Sequence, residues 1–222
     1  MIKLIVFDWD GTLMDSEARI VTAMQQAFAA EGAPPPPPAA VREIIGLDLG
    51  VAVARLGRDL ASRQAAAIVS AYRTLYARLH AVPSPLFDDA EATLAMLDAA
   101  GYLLAIATGK SRRGLDRALE ESGVGGYFAT SRCGEECAPK PDPAMLRDIL
   151  WDLDTPPAAA LMVGDTEFDL LMAQAAGTHA AAVTYGAHPR ERLLEHRPAL
   201  VVDALRDLGA AVDRLNQRIA TP

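Results

Sequence analysis

The stretch "IVFDWDGTLMDS", residues 5–16, decides how the rest of the chain is read. The run "KLIVF" at 3–7 is apolar and β-branched, and it stops at Asp8 before the glycine turn at Gly11. A run of this kind bounded by a turn signal suits a buried strand. Two carboxylates, Asp8 and Asp10, then stand two residues apart where that strand ends. Read alone, the stretch is also compatible with a plain acidic turn, Gly11 supplying a positive φ and Thr12 a cap. The remainder of the chain separates these readings.

Three similar apolar runs follow: "YLLAIAT" at 102–108, "AALMVG" at 159–164 and "THAAAVTY" at 178–185. Helical patterns with start and stop signals lie between them. Asp88 and Asp89 precede "AEATLAMLDAAG", which stops at Gly101. Ser111 can cap "RRGLDRALEESG", Asp142–Pro143 can cap and start "AMLRDILWDL", and Asp165 or Thr166 can cap "EFDLLMAQAAG". A last short strand and a final helix close the chain in "VVDALRDLGAAVDRLNQRIA". Strands alternating with helices of this length predict right-handed βαβ units, hence an α/β fold: a Rossmann-like parallel sheet with helices on both faces.

Residues 16–84 break that alternation. They hold helical patterns near 17–31, 40–56 and 62–80 and no convincing strand, with apolar positions at helical spacing from Ile20 to Phe28. "PPPPP" at 34–38 reads as a stiff connector. The expected organisation is a catalytic core of residues 1–15 and 85–222 interrupted by an all-helical cap at 16–84. "VPSPLF" at 82–87 would be the return hinge, because proline disfavours helix in the residue before it.

Composition excludes several functions. A net charge of -8 disfavours nucleic acid or an anionic membrane as the main partner. No stretch approaches the ~18 apolar residues of a membrane span, and the N-terminus lacks the apolar region and cleavage site of a signal peptide. The two cysteines, Cys133 and Cys137, are too few for a disulfide scaffold and lack C-x-x-C spacing or a nearby histidine. They are expected as reduced thiols in a loop, with the cytoplasm as the default location.

Ligands of open parallel sheets bind outside the carboxyl ends of the strands. The groups expected there are Asp8 and Asp10, Thr108 with the Gly109 amide, Asp165 with Asp169 four residues on, and Lys140 from the loop "APKPDP". Each signal has a bland reading alone: a β-branched strand end, a solvated loop lysine, a capped helix. Together, in this order, they concentrate four carboxylates on one crevice. With no histidine or thiolate among them, the cation that offsets them is hard and oxygen-loving, and Mg²⁺ fits best. Asp8 then becomes a credible nucleophile towards a phosphate, since the metal and an adjacent ammonium remove the repulsion between anions. Asp10, displaced by two residues, can protonate the leaving oxygen and later deprotonate water. Thr108, Gly109 and Lys140 can bind phosphate, and Asp165 and Asp169 can complete the metal site.

These four segments, "FDWDGTL" (7–13), Thr108 of "AIATGKS", Lys140 of "APKPDP" and "GDTEFD" (164–169), resemble in order the four motifs of the haloacid dehalogenase-like (HAD) hydrolase superfamily. The resemblance spans nearly the whole chain. It implies a Rossmann-like core with a helical cap inserted between the first and second motifs. It also implies Asp8 as nucleophile and magnesium ligand, Asp10 as general acid/base lending its backbone carbonyl to the metal, Thr108 and Lys140 as phosphate ligands, and Asp165 with Asp169 at the magnesium. The second aspartate argues for phosphate chemistry rather than dehalogenation. "TGKSRRGLDRALEESGV" and "KPDP" look most like phosphoglycolate phosphatases, so the expected activity is Mg²⁺-dependent hydrolysis of a small phosphate monoester, 2-phosphoglycolate-like.

Two features depart from the family's pattern. Trp9 replaces the usual aliphatic residue between the aspartates and is expected to pack outward on the cap. "LFDDAEATL" lacks the usual "PGV", leaving Asp88 to cap its helix. Gly46 of "IIGLDLG", Arg73 and the hinge near Ser16 are the candidate cap contacts to a small phosphorylated metabolite, and the protein is expected as a monomer or homodimer. Rival readings are a β-phosphoglucomutase-like phosphosugar mutase, a nucleotide or pyrophosphate hydrolase, and a non-catalytic binding protein; the presence of both Asp8 and Asp10 counts against the last.

Overall fold

The computed structural model describes residues 1–79, 82 and 84–220. β1 (Leu4–Phe7) lies at the centre of a six-stranded, all-parallel sheet with β2 (Leu103–Thr108), β3 (Thr130–Cys133), β4 (Ala160–Gly164), β5 (His179–Val183) and β6 (Leu200–Val202). The order is β3-β2-β1-β4-β5-β6. The chain winds outward from β1 through β2 to β3, then returns to the other side of β1 at β4. β1 pairs Phe7 with Ile106 of β2 and with Val163 of β4. That reversal opens a crevice at the carboxyl ends of β1 and β4.

Alternation along β1 explains why the sheet is covered on both faces. Ile5 and Phe7 join a core with α5 (Ala90–Ala99), α6 (Arg112–Ser122) and α10 (Leu208–Ala220). Leu4 and Val6 join the opposite core with α7 (Ala144–Asp152), α8 (Glu167–Ala176) and α9 (Arg190–Glu195). All four β1 side chains are fully buried, each worth about 1.5–3 kcal/mol relative to exposure.

A third apolar cluster belongs to the segment between β1 and α5: α1 (Glu17–Ala30), α2 (Pro38–Arg42), α3 (Leu49–Leu56) and α4 (Ser62–Arg78). It gathers Ile20, Met24, Phe28, Val53 and Ile68, and reaches the sheet domain at Phe168. The connections into and out of this segment run side by side: Asp15 donates its amide to Pro85 O at 2.8 Å, and Phe87 to Leu13 O at 3.0 Å. Pro83, within the expected hinge, lies outside the described residues.

Three expectations are corrected. The helix expected at 40–56 is broken into α2 and α3, with Glu43–Asp48 between them. Ile44, Ile45 and Leu47 in that break are buried, so the apolar pattern continues while the backbone leaves the helix. Trp9 points into the sheet core: it is fully buried, meets Phe128 edge-on at 6.5 Å, and its Nε1 donates to Met14 Sδ at 3.3 Å. Asp88 caps nothing; the residue before α5 is Asp89, which makes no side-chain cap bond and pairs with Arg206 at 2.8 Å. Ser111 caps α6 as read, accepting from the Gly114 amide, whereas α7 begins one residue later than expected, flanked by Pro143, with Asp142 accepting the Ala144 amide from outside the helix.

Candidate active site

Asp8 directly follows β1, and its amide still donates to Val163 O at 2.9 Å, so the ladder aims its side chain at the crevice. The carboxylate is fully buried. Oδ1 accepts the Trp9 amide at 2.7 Å and lies 2.9 Å from Lys140 Nζ. Oδ2 has no hydrogen-bond partner among the described residues. A buried carboxylate oxygen without a partner is costly, and Asp8 is among the residues lining a cavity of about 560 Å³.

Lys140 comes from the loop between β3 and α7, and its Nζ also lies 2.7 Å from Asp169 Oδ1. Asp169 sits in the first turn of α8, where it completes a capping box: its Oδ2 accepts the Thr166 amide at 3.1 Å and the Thr166 hydroxyl at 2.7 Å. Asp165 follows β4. Its Oδ1 accepts the Thr12 hydroxyl at 2.8 Å and its Oδ2 the Ala187 amide at 2.8 Å. Gly11 lets the turn pass against it; φ there is 81°, and a Cβ would lie 2.3 Å from Asp165 Oδ2. No L side chain meets both demands.

Oxygens of Asp8, Asp165 and Asp169 lie within 4.8 Å of one another. Three buried carboxylates face one buried ammonium, and the titration reflects the imbalance. Burial pushes Asp8 well above the ordinary carboxylate range; Lys140 opposes the shift, and Asp169 and Asp165 add to it. Burial and the neighbouring Asp169 raise Asp165 to about 7, against the Ala187 and Thr12 hydrogen bonds. Burial alone would discharge Lys140, but Asp169 and Asp8 outweigh it and hold the ammonium above its ordinary value. The unpartnered Asp8 Oδ2 beside Asp165 and Asp169 fits a hard divalent cation: an all-oxygen donor set with excess negative charge.

Asp10 lies outside that cluster. Lys110 Nζ contacts its Oδ1 at 2.7 Å and its Oδ2 at 2.9 Å, and Ser16 donates to Oδ1 at 2.6 Å. Lys110 also lies 3.4 Å from the Tyr76 hydroxyl of α4. Thr108 is buried at the end of β2, its Oγ1 accepting the Lys110 amide at 3.2 Å. Thr108 and Gly109 line the same cavity as Asp8 and Asp10. So does Gly46, where a Cβ would lie 3.7 Å from Asp8 Oδ2 and 3.1 Å from the Thr166 hydroxyl. Arg73 reaches only the rim, 3.4 Å from Glu135.

Sequence reasoning missed Lys110, Thr12 and Ala187 as supporting groups and placed the hinge near Ser16 among the candidate substrate contacts, where Ser16 bonds Asp10. Lys110 carried a readable signal, a cation two residues beyond a strand end. Ala187 carried none, because it acts through its amide. Cys133 and Cys137 are free thiols, pushed by burial to about 12 and about 11.

Asp8 and Asp165 are buried after the two central strands of a parallel sheet, Lys140 pairs with Asp8 and Asp169, and a helical segment lies over the crevice, the arrangement of a Rossmann-like hydrolase with an acidic centre. The chain belongs to the haloacid dehalogenase-like hydrolase family, which matches it over residues 5–183. It is 33% identical over 226 residues to "Probable phosphatase IndB" of Dickeya dadantii (strain 3937), covering 100% of this chain and 98% of that protein. It is 34% identical over 219 residues to phosphoglycolate phosphatase 1 of Pseudomonas aeruginosa, covering 96% of this chain and 80% of that protein. In fold it is similar to the crystal structure of a predicted phosphoglycolate phosphatase from Haemophilus somnus 129PT, at 24% identity and a TM-score of 0.87, over 95% of this chain and 98% of that one.

Proposed function

We propose that this chain is a Mg²⁺-dependent phosphatase that hydrolyses a phosphate monoester of a small soluble metabolite in the cytoplasm, through an aspartyl phosphate on Asp8. In this reading residues 16–84 form the cap, and 2-phosphoglycolate is the reference ester because several relatives carry that name. The observation that carries the reading is buried Asp8 lining a cavity, its Oδ2 unpartnered among the described residues and its Oδ1 2.9 Å from Lys140.

Asp8 attacks phosphorus, and the bond from phosphorus to the ester oxygen breaks. Asp10, positioned by Ser16 and Lys110, must carry a proton when the ester binds, and that proton passes to the ester oxygen. Asp10 then takes a proton from water, which attacks phosphorus; the bond to Asp8 breaks and inorganic phosphate leaves. Thr108, the Gly109 amide and Lys140 orient and neutralise the transferring group. Asp8, Asp165, Asp169 and the Asp10 carbonyl would hold Mg²⁺, which when bound screens the repulsion between carboxylate and phosphate. Asp8→Asn tests the covalent route: phosphate release should fall below about 1% of wild type, and more than that sinks the nucleophile assignment.

A further inference from the structure

We propose that the leaving group carries an anionic group of its own, a carboxylate or a second phosphoryl, received by Arg78, Arg113 and Arg117. This rests on the phosphatase reading and narrows its substrate class, setting aside esters of uncharged alcohols.

Four carboxylates and five cations line the cavity that Asp8 borders. Asp8 faces Lys140, and Asp10 faces Lys110 and Ser16. Asp48 accepts the amides of Gly50 at 2.8 Å and Val51 at 3.3 Å. Glu135 accepts the Arg112 amide at 3.0 Å and Arg73 at 3.4 Å. Every carboxylate therefore has a donor, and Lys110 and Arg73 are occupied by them. Arg78, Arg113 and Arg117 remain, with no ion-pair or hydrogen-bond partner among the described residues.

These three are exposed, so they border the cavity where it meets solvent. Arg113 and Arg117 stand one turn apart on α6, a spacing at which like charges repel, and Arg78 comes from α4. The chain is acidic, with 29 Asp and Glu against 21 Lys and Arg, so a cavity whose unmatched charges are all positive runs against its composition. An anion there relieves the repulsion and gains charge-assisted bonds from guanidinium forks, whose geometry matches carboxylate and phosphate oxygens. Tyr72 of α4 adds a donor. Its hydroxyl lines the same cavity without a hydrogen-bond partner among the described residues. Burial, with Tyr76 and Asp10 nearby, raises its pKa well above the ordinary value, so the phenol keeps its proton. The transferring phosphate does not occupy these groups, since in the reading above it meets Lys140, Thr108 and Gly109.

The test measures phosphate release by the full chain with Mg²⁺ from three pairs of esters that differ in the second anion. They are 2-phosphoglycolate and 2-hydroxyethyl phosphate, 2-phosphoglycerate and glycerol 2-phosphate, and fructose 1,6-bisphosphate and fructose 6-phosphate. In at least one pair the ester with the second anion should exceed its partner about fivefold or more in kcat/KM; the pair that does so separates carboxylate from phosphoryl. Arg113→Ser with Arg117→Ser should lower that ratio about threefold or more, and Arg113→Lys with Arg117→Lys should retain more of it. If no pair reaches fivefold, the inference is overturned while the phosphatase reading stands. If the double serine variant slows both members of the pair alike, the arginines steer the ester phosphate instead of holding a second anion, and the inference is equally overturned. If no ester releases phosphate, p-nitrophenyl phosphate included, the phosphatase reading itself fails and the inference falls with it.

Discussion

Gly109→Ala is the sharpest probe of how closely the 43–48 loop must sit on the crevice. A Cβ at this position would lie 2.5 Å from Leu47 O, 2.7 Å from Gly46 O and 2.7 Å from Leu47 C. All three are backbone atoms, so no side chain can swing aside. Ordinary C···O contacts are about 3.3–3.6 Å, so the loop must retreat by about 0.8 Å. Gly46 moves with it, and Gly46 is the position whose Cβ would touch Thr166 and approach Asp8. The variant keeps the Gly109 amide, the group proposed to bind phosphate, so the perturbation is one of distance. Displacements of about 1 Å cost on the order of 10²-fold in rate, or about 2.7 kcal/mol of transition-state stabilisation. The overpacking should lower stability by about 1–3 kcal/mol. The assay is kcat/KM for phosphate release, read beside a thermal melt. Gly126→Ala is the control, since a Cβ there meets nothing within 4 Å. If Gly109→Ala stays within about threefold of wild type, the loop's close approach is irrelevant to turnover and the distance argument fails.

Two further outcomes follow from the carboxylate cluster. Asp8 and Asp165 have folded values above their unfolded ones, Asp165 at about 7 against 3.8. The metal-free native state thus holds more protons than the unfolded chain over that range and loses stability as pH rises through it. Mg²⁺ must displace those protons, so the rise in melting temperature that Mg²⁺ produces over EDTA should grow as pH increases towards and past about 7; a pH-independent rise refutes the assignment. His188, which burial holds below its ordinary value, contributes the opposite slope to both samples and cancels. Thr12→Val removes the hydroxyl at 2.8 Å from Asp165 Oδ1. Support of this kind is worth about 10–100-fold in metal affinity, so the Mg²⁺ concentration for half-maximal phosphate release should rise correspondingly, and an unchanged midpoint would refute the role.

The parts of the molecule legible from sequence are those governed by local pattern. β1, β2, β4 and β5 are continuous apolar runs because both faces of the sheet are covered, and Ser111 and Thr166 announce their helices by capping chemistry. β3, "TSRC", was unreadable: only Cys133 of its four residues is buried, and its strand character comes from pairing with Ala105–Thr108. The break at Glu43–Asp48 was hidden for a different reason. Its apolar spacing continues that of a helix, while Gly46 takes a φ of 92° to bring the loop over Asp8. Trp9 was misread although alternation carried the answer, since it falls two residues after Phe7 and shares the same core. Among site residues, the side chains whose chemistry is distinctive were findable, but Thr12 and Ala187 act on Asp165 across 153 and 22 residues, and nothing local encodes those contacts.

The energetics of the two halves of the site are unequal, and that inequality bears on turnover. Asp8, Asp165, Asp169 and Lys140 are at most 2% exposed, and removing one partner from such a group costs about 3–5 kcal/mol. Their geometry is therefore part of the folded core. The polar links from the 17–78 helices to the sheet are of another kind: Arg192 to Glu43, Arg73 to Glu135, and Lys110 to the Tyr76 hydroxyl at 3.4 Å. The two ion pairs lie at the surface, where each contributes about 0–1 kcal/mol. Phe168, stacked by Arg55 at 5.2 Å, and Ala187 add apolar contacts, and the backbone of Gly46 and Leu47 lies close on Gly109. When the helical segment parts, Lys110 keeps Asp10 and Arg192 keeps Glu167, so no buried charge is left unpaired, whereas disturbing the carboxylates beneath leaves one. In the proposed reading, a crevice whose floor holds the buried charges and whose roof shares none of them can admit an ester, exclude water during transfer, and reopen without losing the carboxylate arrangement.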